Sequence, residues 1–405
     1  MRDAARLLGH SIRHIRRLLA RVRTRGPAAL AHGNRGRASP RRTAATIRAR
    51  VLALVRGLYA GSNDCHFTEL LAAREAIRLS RSTVRRLLRQ AGIGSPRTRR
   101  PPRHRRRRER MPQAGLLVQM DGSHHPWLED RGPRLVLHAA LDDATGTVLA
   151  AVFRPEEDAH GYFLIIRRLI RRYGVPAAVY TDRHGLFRRD PKTRLPLPEQ
   201  LTGAEPSTQV GRALHQLGIR WIPASSPQGK GRVERLFGTF QDRLVVELRL
   251  AHACTLAQAQ RVLDRFLPRY NARFAVPAAH PEPAWRPAPA RRDLERICCF
   301  RHRRTVAQDN TIRLGRHWLQ LLPGPNGRSY AKTRVDVHAF LDGTFGVSYR
   351  GKPLPCRRLS RAPQPAPSRM PVAIAPRLPR TPDPQPRSHP WKRGYQIRMQ
   401  LRGHG

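Results

Sequence analysis

The amino-acid sequence predicts a multidomain α+β protein, and three observations carry that prediction. Hydrophobic periodicity is helical over the first 95 residues, mixes short apolar runs with amphipathic helices between residues 113 and 275, and turns to short alternating runs after residue 296. The chain has 405 residues, more than one hydrophobic core accommodates, so several domains are expected. Three acids, Asp121, Asp182 and Glu234, stand at the end of an apolar run or in the opening of an amphipathic helix, in a chain of formal net charge +50.

That charge bounds the partner. Lys and Arg number 78 against 28 Asp and Glu, an excess that points to a polyanion, DNA or RNA, bound through phosphate contacts. The excess thickens between Arg97 and Arg110, where nine arginines crowd together. No uncharged apolar stretch of ~18 residues occurs, and the N-terminus carries no apolar signal region, so the chain reads as cytoplasmic with no membrane partner. Five cysteines, at 65, 254, 298, 299 and 356, include no C-x-x-C pair and support neither a disulfide framework nor a zinc knuckle.

Residues 4–8 begin a short helix that Gly9-His10 interrupts. Ser11 caps the next, with Ile12, Ile15, Leu18, Leu19 and Val22 on one face and Arg13, Arg16 and Arg17 among the arginines opposite. This is a helix-turn-helix pattern over 1–37 with a basic reader helix. A second copy spans 43–95. Ile47, Val51, Leu54, Val55 and Leu58 form one helix, Phe67–Ile77 another, and Ser80 caps a third that keeps Val84, Leu87 and Leu88 inside and turns Arg81, Arg85 and Arg86 toward DNA. Two helical bundles with solvated basic faces are the plainer alternative. A basic linker, 96–112, follows.

In the segment 113–275, Leu116–Met120 reads as a buried strand delivering Asp121, with His124-His125 as a loop or cap. Leu135–Leu141 and Thr147–Phe153 flank the turn Asp142–Gly146, a hairpin. The helix Ala159–Tyr173 ends at Gly174, the strand Ala177–Tyr180 delivers Asp182, and Gln209–Leu217 and Ile219–Ile222 read as helix and strand. From Gly231 a helix runs with Val233, Leu236, Phe237, Phe240 and Leu244 inside; Glu234 sits off that stripe, near Lys230 and Gln241 on the polar side. Strand, strand, strand, helix, strand opens a ribonuclease-H-like α/β sheet whose first and fourth strands are neighbours, so Asp121 and Asp182 should meet. Carboxylates so placed suit a hard divalent cation, although a helical Glu alone is more often solvated.

The run Gln119-Met120-Asp121-Gly122-Ser123-His124-His125-Pro126-Trp127-Leu128-Glu129, then Leu141–Gly146, Tyr180-Thr181-Asp182-Arg183-His184 and Ser226–Arg235, resembles the integrase-type catalytic core of bacterial insertion-sequence transposases, closest to the ISNCY group. The resemblance extends from the N-terminal helices to about residue 360, and Gln241–Arg249 is also typical of the family. It implies a DDE triad at Asp121, Asp182 and Glu234 holding two Mg²⁺ ions, with Mn²⁺ as a substitute, and cleavage and strand transfer of double-stranded DNA at terminal inverted repeats. It also implies DNA contact by Lys230 near the site, with Arg183 and Arg232 stabilising the charge, a homo-oligomer that pairs two DNA ends, and a place at the bacterial nucleoid.

Between Asp182 and Glu234 the gap is longer than in many integrase-like enzymes. Phe187–Thr208, with Pro191, Pro196, Pro198 and Pro206, reads as an inserted loop whose Asp190, Glu199 and Glu205 rival the third ligand. Glu234 is preferred because it opens a strong amphipathic helix. Two departures stand out: Ser225 occupies the family's Asn position, and the chain begins at the second half of its first helix-turn-helix unit.

A helix from Ala253 carries Val262, Leu263 and Phe266. A linker over 276–295 precedes short strands over 296–358, read as a small β-barrel that binds DNA in similar transposases, and 359–405 is a Pro/Arg-rich tail expected to be disordered. An inactive, transposase-derived DNA-binding protein and a structure-selective nuclease are the alternatives to an active transposase.

Overall fold

The computed structural model describes residues 1–31, 35–36, 42–96, 108–182, 185–187, 208–224 and 231–360. It divides into two compact units, Met1–His302 with His338–Phe345, and Arg303–Val337 with Gly346–Gly405. Most of the Arg97–Arg110 tract, the inserted loop and the Pro/Arg-rich tail lie outside the described residues.

In the first unit, α1 (Arg2–Leu7) and α2 (Ile12–Arg25) form a pair, with the Ser11 side chain accepting from His14 N as the predicted cap. Their apolar stripe is poorly covered. Ile15 is buried, but Leu7 and Leu8 are 85% and 62% exposed.

The next three helices, α3 (Ala45–Arg56), α4 (Asp64–Arg74) and α5 (Arg81–Gln90), enclose a core of Val51, Tyr59, Phe67, Leu71, Val84 and Leu88. Ser80 caps α5 through Thr83 N, as its sequence position predicts.

A five-stranded sheet forms the centre, in the order β3-β2-β1-β4-β5. Its strands are β1 (Leu117–His125), β2 (Leu135–Asp142), β3 (Val148–Arg154), β4 (Ala178–Thr181) and β5 (Arg220–Pro223). The first three run antiparallel; β4 is parallel to β1 and β5 to β4. The first and fourth strands are therefore neighbours, as expected.

One face is covered by α6 (Ala159–Tyr173) and α7 (Gln209–Gln216), over a core that includes Val118, Met120, Phe163 and Ile166. The other is covered by α8 (Gly231–Leu250) and α9 (Leu256–Phe274), over Leu137, Ala139, Phe240 and Leu263. Alternation along each strand feeds the two cores. Gly174 closes α6 at φ +107, and a Cβ there would stand 2.5 Å from Arg286 O, so glycine is required twice over.

The outer edge of β3 is not left open. Asn271 on α9 accepts from Val148 N and donates to Val148 O, both at 2.9 Å, and Gln260 accepts from Phe153 N at 3.0 Å. Side chains of a helix thus occupy backbone groups that could recruit another strand.

Three details depart from the sequence reading. β1 does not stop at Asp121 but runs on to His125, because β2 pairs with it as far as His125↔Leu135; His124 and His125 are strand residues, not a loop or cap. The segment 276–295, read as a linker, is bonded to the core: Val175 and Arg286 form a β-bridge, and Arg286 Nη2 donates to the carbonyls of Pro176, Leu217 and Gly218. It also contains a short helix, α10 (Arg291–Ile297).

The C-terminal strands β6 (Phe300–Thr305), β7 (Thr311–Leu314), β8 (His317–Leu321), β9 (Arg334–Ala339), β10 (Phe345–Tyr349), β11 (Lys352–Leu354) and β12 (Cys356–Leu359) form two sheets, β11-β10-β9-β6 and β12-β8-β7. Among the described residues the expected barrel is not one closed sheet. Strands of three to six residues here pair in separate groups of four and three, whereas closure requires one continuous ladder of strands.

Candidate active site

Register brings the first two acids together. β1 and β4 pair in parallel as far as Gln119↔Tyr180, and two residues further along each strand stand Asp121 and Asp182, both half-buried. Behind them lies Tyr162 of α6, fully buried, whose hydroxyl donates to Glu157 Oε1 at 2.6 Å. Burial, then Glu157, and then the charges of Asp121 and Asp182 push this phenol well above its ordinary range. One hydroxyl therefore feels three carboxylates at this end of the sheet.

Glu157 was not singled out from the sequence. Its Oε2 meets His124 Nε2 at 3.2 Å, and its carboxyl lies against β1 beside Asp121 because residue 122 is glycine: a Cβ there would stand 2.7 Å from Glu157 Cδ. Beneath this pair, His138 is buried, with no hydrogen-bond partner among the described residues for either ring nitrogen, and burial pushes it down to about 4. It is neutral at ordinary pH, packed edge-on against Tyr162 with ring centroids 5.1 Å apart.

The helix bearing the third acid is fastened alongside β1. Val233 N donates to Gln119 Oε1 at 3.2 Å and Gln241 Nε2 reaches Ser123 Oγ at 3.5 Å. Gln119, Asp121 and Ser123 alternate onto one strand face, so Asp121 lies between two residues that bond α8. Glu234, in the first turn of α8, is exposed. Among the described residues no three His, Cys, Asp or Glu side chains are arranged to hold a metal ion. The structure thus joins Asp121 with Asp182 and sets Glu234 on the adjoining helix turn without drawing it into a closed ligand set.

Arg232, expected to stabilise charge on the DNA near the site, is turned inward instead: Nη1 donates to Asp143 Oδ1 at 2.7 Å and Nη2 to Arg108 O at 2.7 Å. Arg183, Lys230, Asp190, Glu199 and Glu205 lie outside the described residues. The arginines Arg13, Arg16 and Arg17 on α2, and Arg81, Arg85 and Arg86 on α5, are all exposed.

Asp143 is the other residue that sequence reasoning passed over. Read as part of a turn, it is fully buried. A signal was present: an adjacent acid pair in an acid-poor chain, next to an apolar strand.

No family model matches the chain. Among curated proteins, it is 37% identical over 360 residues to the "Putative transposase y4bF" of Sinorhizobium fredii, covering 88% of this chain and 77% of that protein. The chain belongs to the bacterial insertion-sequence transposases. The transposase of insertion sequence IS1202 from Streptococcus pneumoniae is a second relative, 32% identical over 301 residues; the match takes in 66% of this transposase and 63% of that relative's length.

Among solved structures, the HTLV-2 integrase catalytic core domain in complex with magnesium is 18% identical, with coverage of 37% of this chain and 82% of that one and a TM-score of 0.26. The simian T-cell lymphotropic virus intasome in complex with PP2A regulatory subunit B56 gamma is 16% identical, with coverage of 76% and 99% and a TM-score of 0.24. No helix of the described residues is long and apolar enough to cross a membrane.

Proposed function

We propose that this transposase is a DDE enzyme that cleaves DNA at the terminal inverted repeats of its element and transfers the freed strand to a target. The observation that carries the reading is the parallel register of β1 and β4, which sets Asp121 beside Asp182 at one end of the sheet. Hard carboxylate oxygens repelling one another fit a divalent cation, so Asp121 and Asp182, with Glu234 from α8, are the residues that would hold two Mg²⁺ or Mn²⁺ ions.

When bound, such ions activate the attacking water or 3′-hydroxyl and neutralise the charge gathering on the phosphate. The chain's own contribution is to hold the acids: β1 and β4 fix the first two, and the bonds from Gln119 and Ser123 keep α8 against the strand. Lys230 and Arg183 are proposed to contact DNA beside the acids. The exposed arginines of α2 and α5 suit helix-turn-helix contacts with the repeats, through phosphates first and bases second. Pairing two ends calls for a homo-oligomer, acting in the cytoplasm at the nucleoid, and the motif runs favour the ISNCY group.

One observation favours a second reading, a DNA-binding protein that has lost cleavage: Glu234 is exposed and completes no ligand set. Cleavage of a duplex carrying the terminal repeat, with and without Mg²⁺, separates the two. Nicking by the native chain and none by Asp182→Asn, with equal binding, supports the enzyme. Binding without cleavage by both supports the second reading.

A further inference from the structure

Asp143 makes more bonds than any turn requires. Its Oδ1 accepts from Arg232 Nη1 at 2.7 Å, from Gln119 Nε2 at 2.7 Å and from the Arg108 guanidinium, and its Oδ2 accepts from Met111 N at 3.0 Å. The turn itself is built by its neighbour: Asp142 takes Thr145 N, Thr145 Oγ1 and Gly115 N, each within 2.9 Å. The two acids divide the labour. Asp142 shapes the hairpin, and Asp143 gathers three separate segments onto one carboxylate.

Those segments are the chain entering the core (Arg108, Met111), the strand of Asp121 (Gln119) and the first turn of α8 (Arg232). The amide of Gln119 gives its hydrogens to Asp143 while its oxygen accepts from Val233 N at 3.2 Å. Asp143 thus holds residue 232 directly and residue 233 through Gln119, the two residues before Glu234. Consecutive tethers of this kind fix both the position and the rotation of a helix turn, and an exposed Glu234 has no burial of its own to do so.

A buried carboxylate is stable only when its charge is met, and here two guanidiniums meet it. The Arg232 side chain is 16% exposed and that of Arg108 40%, so the inner arginine is committed to the hub while the outer one still reaches solvent.

We infer that Asp143 is a positioning residue for the third carboxylate: through Arg232 and Gln119 it sets Glu234 against Asp121, and through Arg108 it ties that turn to the chain leaving the arginine-rich tract. This rests on the reading above that Glu234 serves DNA cleavage.

The test uses the full chain, a duplex carrying the terminal repeat and a Mg²⁺ titration, with Glu234→Gln as the control for the underlying reading. Asp143→Asn keeps the shape and removes the charge. Its kcat should fall on the order of 10- to 100-fold, the range for groups that orient metal-bearing side chains. The Mg²⁺ concentration for half activity should rise, and duplex binding should stay within about twofold. Amide hydrogen exchange over 231–236 should quicken in the same variant, a readout independent of activity.

Gln119→Met, which removes the Val233 tether and one donor to Asp143 but leaves both guanidiniums in place, should move the same quantities less, and it carries the test if Asp143→Asn does not fold. A folded Asp143→Asn with native kcat and native exchange overturns the assignment, as does a loss confined to KM or binding. If Glu234→Gln cuts normally, the cleavage reading of Glu234 fails and the positioning role falls with it.

Discussion

Asp121 and Asp143 are acids of the same central sheet region, twenty-two residues apart, and the fold treats them in opposite ways. Asp143 is fully buried, with two guanidiniums, an amide and a backbone N–H directed at it. Asp121 is half-buried beside Asp182, with Glu157 and the raised Tyr162 phenol behind. A carboxylate whose charge is met on every side is architecture. Asp121 and Asp182 are instead set side by side, an arrangement in which a cation would relieve their mutual repulsion.

The contrast is broken most severely at the open site. Asp182→Asn should reduce Mg²⁺-dependent cleavage about a thousandfold, by the scale of losing a group that stabilises transition-state charge. The melting temperature and duplex affinity should hardly move. A comparable loss of stability would mean that Asp182 is architecture too.

The buried site should show the reverse. Asp143→Ala leaves the Arg232 and Arg108 guanidiniums without their counter-charge. It should destabilise the chain by about 3 kcal/mol in a denaturant melt, the low end for a broken buried pair because Arg108 is partly solvated. A change under about 0.5 kcal/mol, the level of ordinary surface substitutions, would sink the hub.

Opposite Gly122 on β2, next to the open site, lies His138, pushed down to about 4 by burial, with Glu157 and Asp158 favouring its charge and Arg154 and His124 opposing it. A folded value below the unfolded one, near 6.5, gives stability that is full above pH 6.5 and is lost as pH falls toward 4. The loss is about 3 kcal/mol when complete. Melts at pH 7 and pH 5 measure its onset, and His138→Leu should flatten that part of the profile. An unchanged pH dependence in the variant would assign the effect to other groups.

The smallest expected effect tests the packing behind Asp121. Gly122→Ala puts a methyl 2.7 Å from Glu157 Cδ. It should cost about 1 kcal/mol as Glu157 yields, at the mild end of overpacking. Cleavage should fall more than stability if the Glu157 carboxyl supports the acids. Equal, small losses would make Glu157 a packing residue.

Much of this architecture was legible in the sequence because it is local. Ser11 and Ser80 read as helix caps and are caps; Gly174 reads as the end of a helix and is one. The apolar stripe from Val233 to Leu244 reads as one face of a helix and lies in the core. The neighbouring strands of Asp121 and Asp182 followed from the order of elements. The extension of β1 past Asp121 did not, since His124 and His125 become strand residues only because β2 pairs with them. Glu157 was illegible for a similar reason: it matters through Gly122 and Tyr162, and no spacing announces either contact.

By itself the sequence determined the membership of the insertion-sequence transposases, the strongly basic character and the order of helices and strands in the central sheet, because periodicity, capping and motif runs are written in adjacent residues. Only the tertiary structure decided which acid is buried and which is open. It brought Arg108, Gln119 and Arg232 onto Asp143 from segments up to 124 residues apart, turned Arg232 inward, and made two sheets where one barrel was expected. Those outcomes depend on which distant groups can meet a buried charge or a free strand edge, and only packing fixes that.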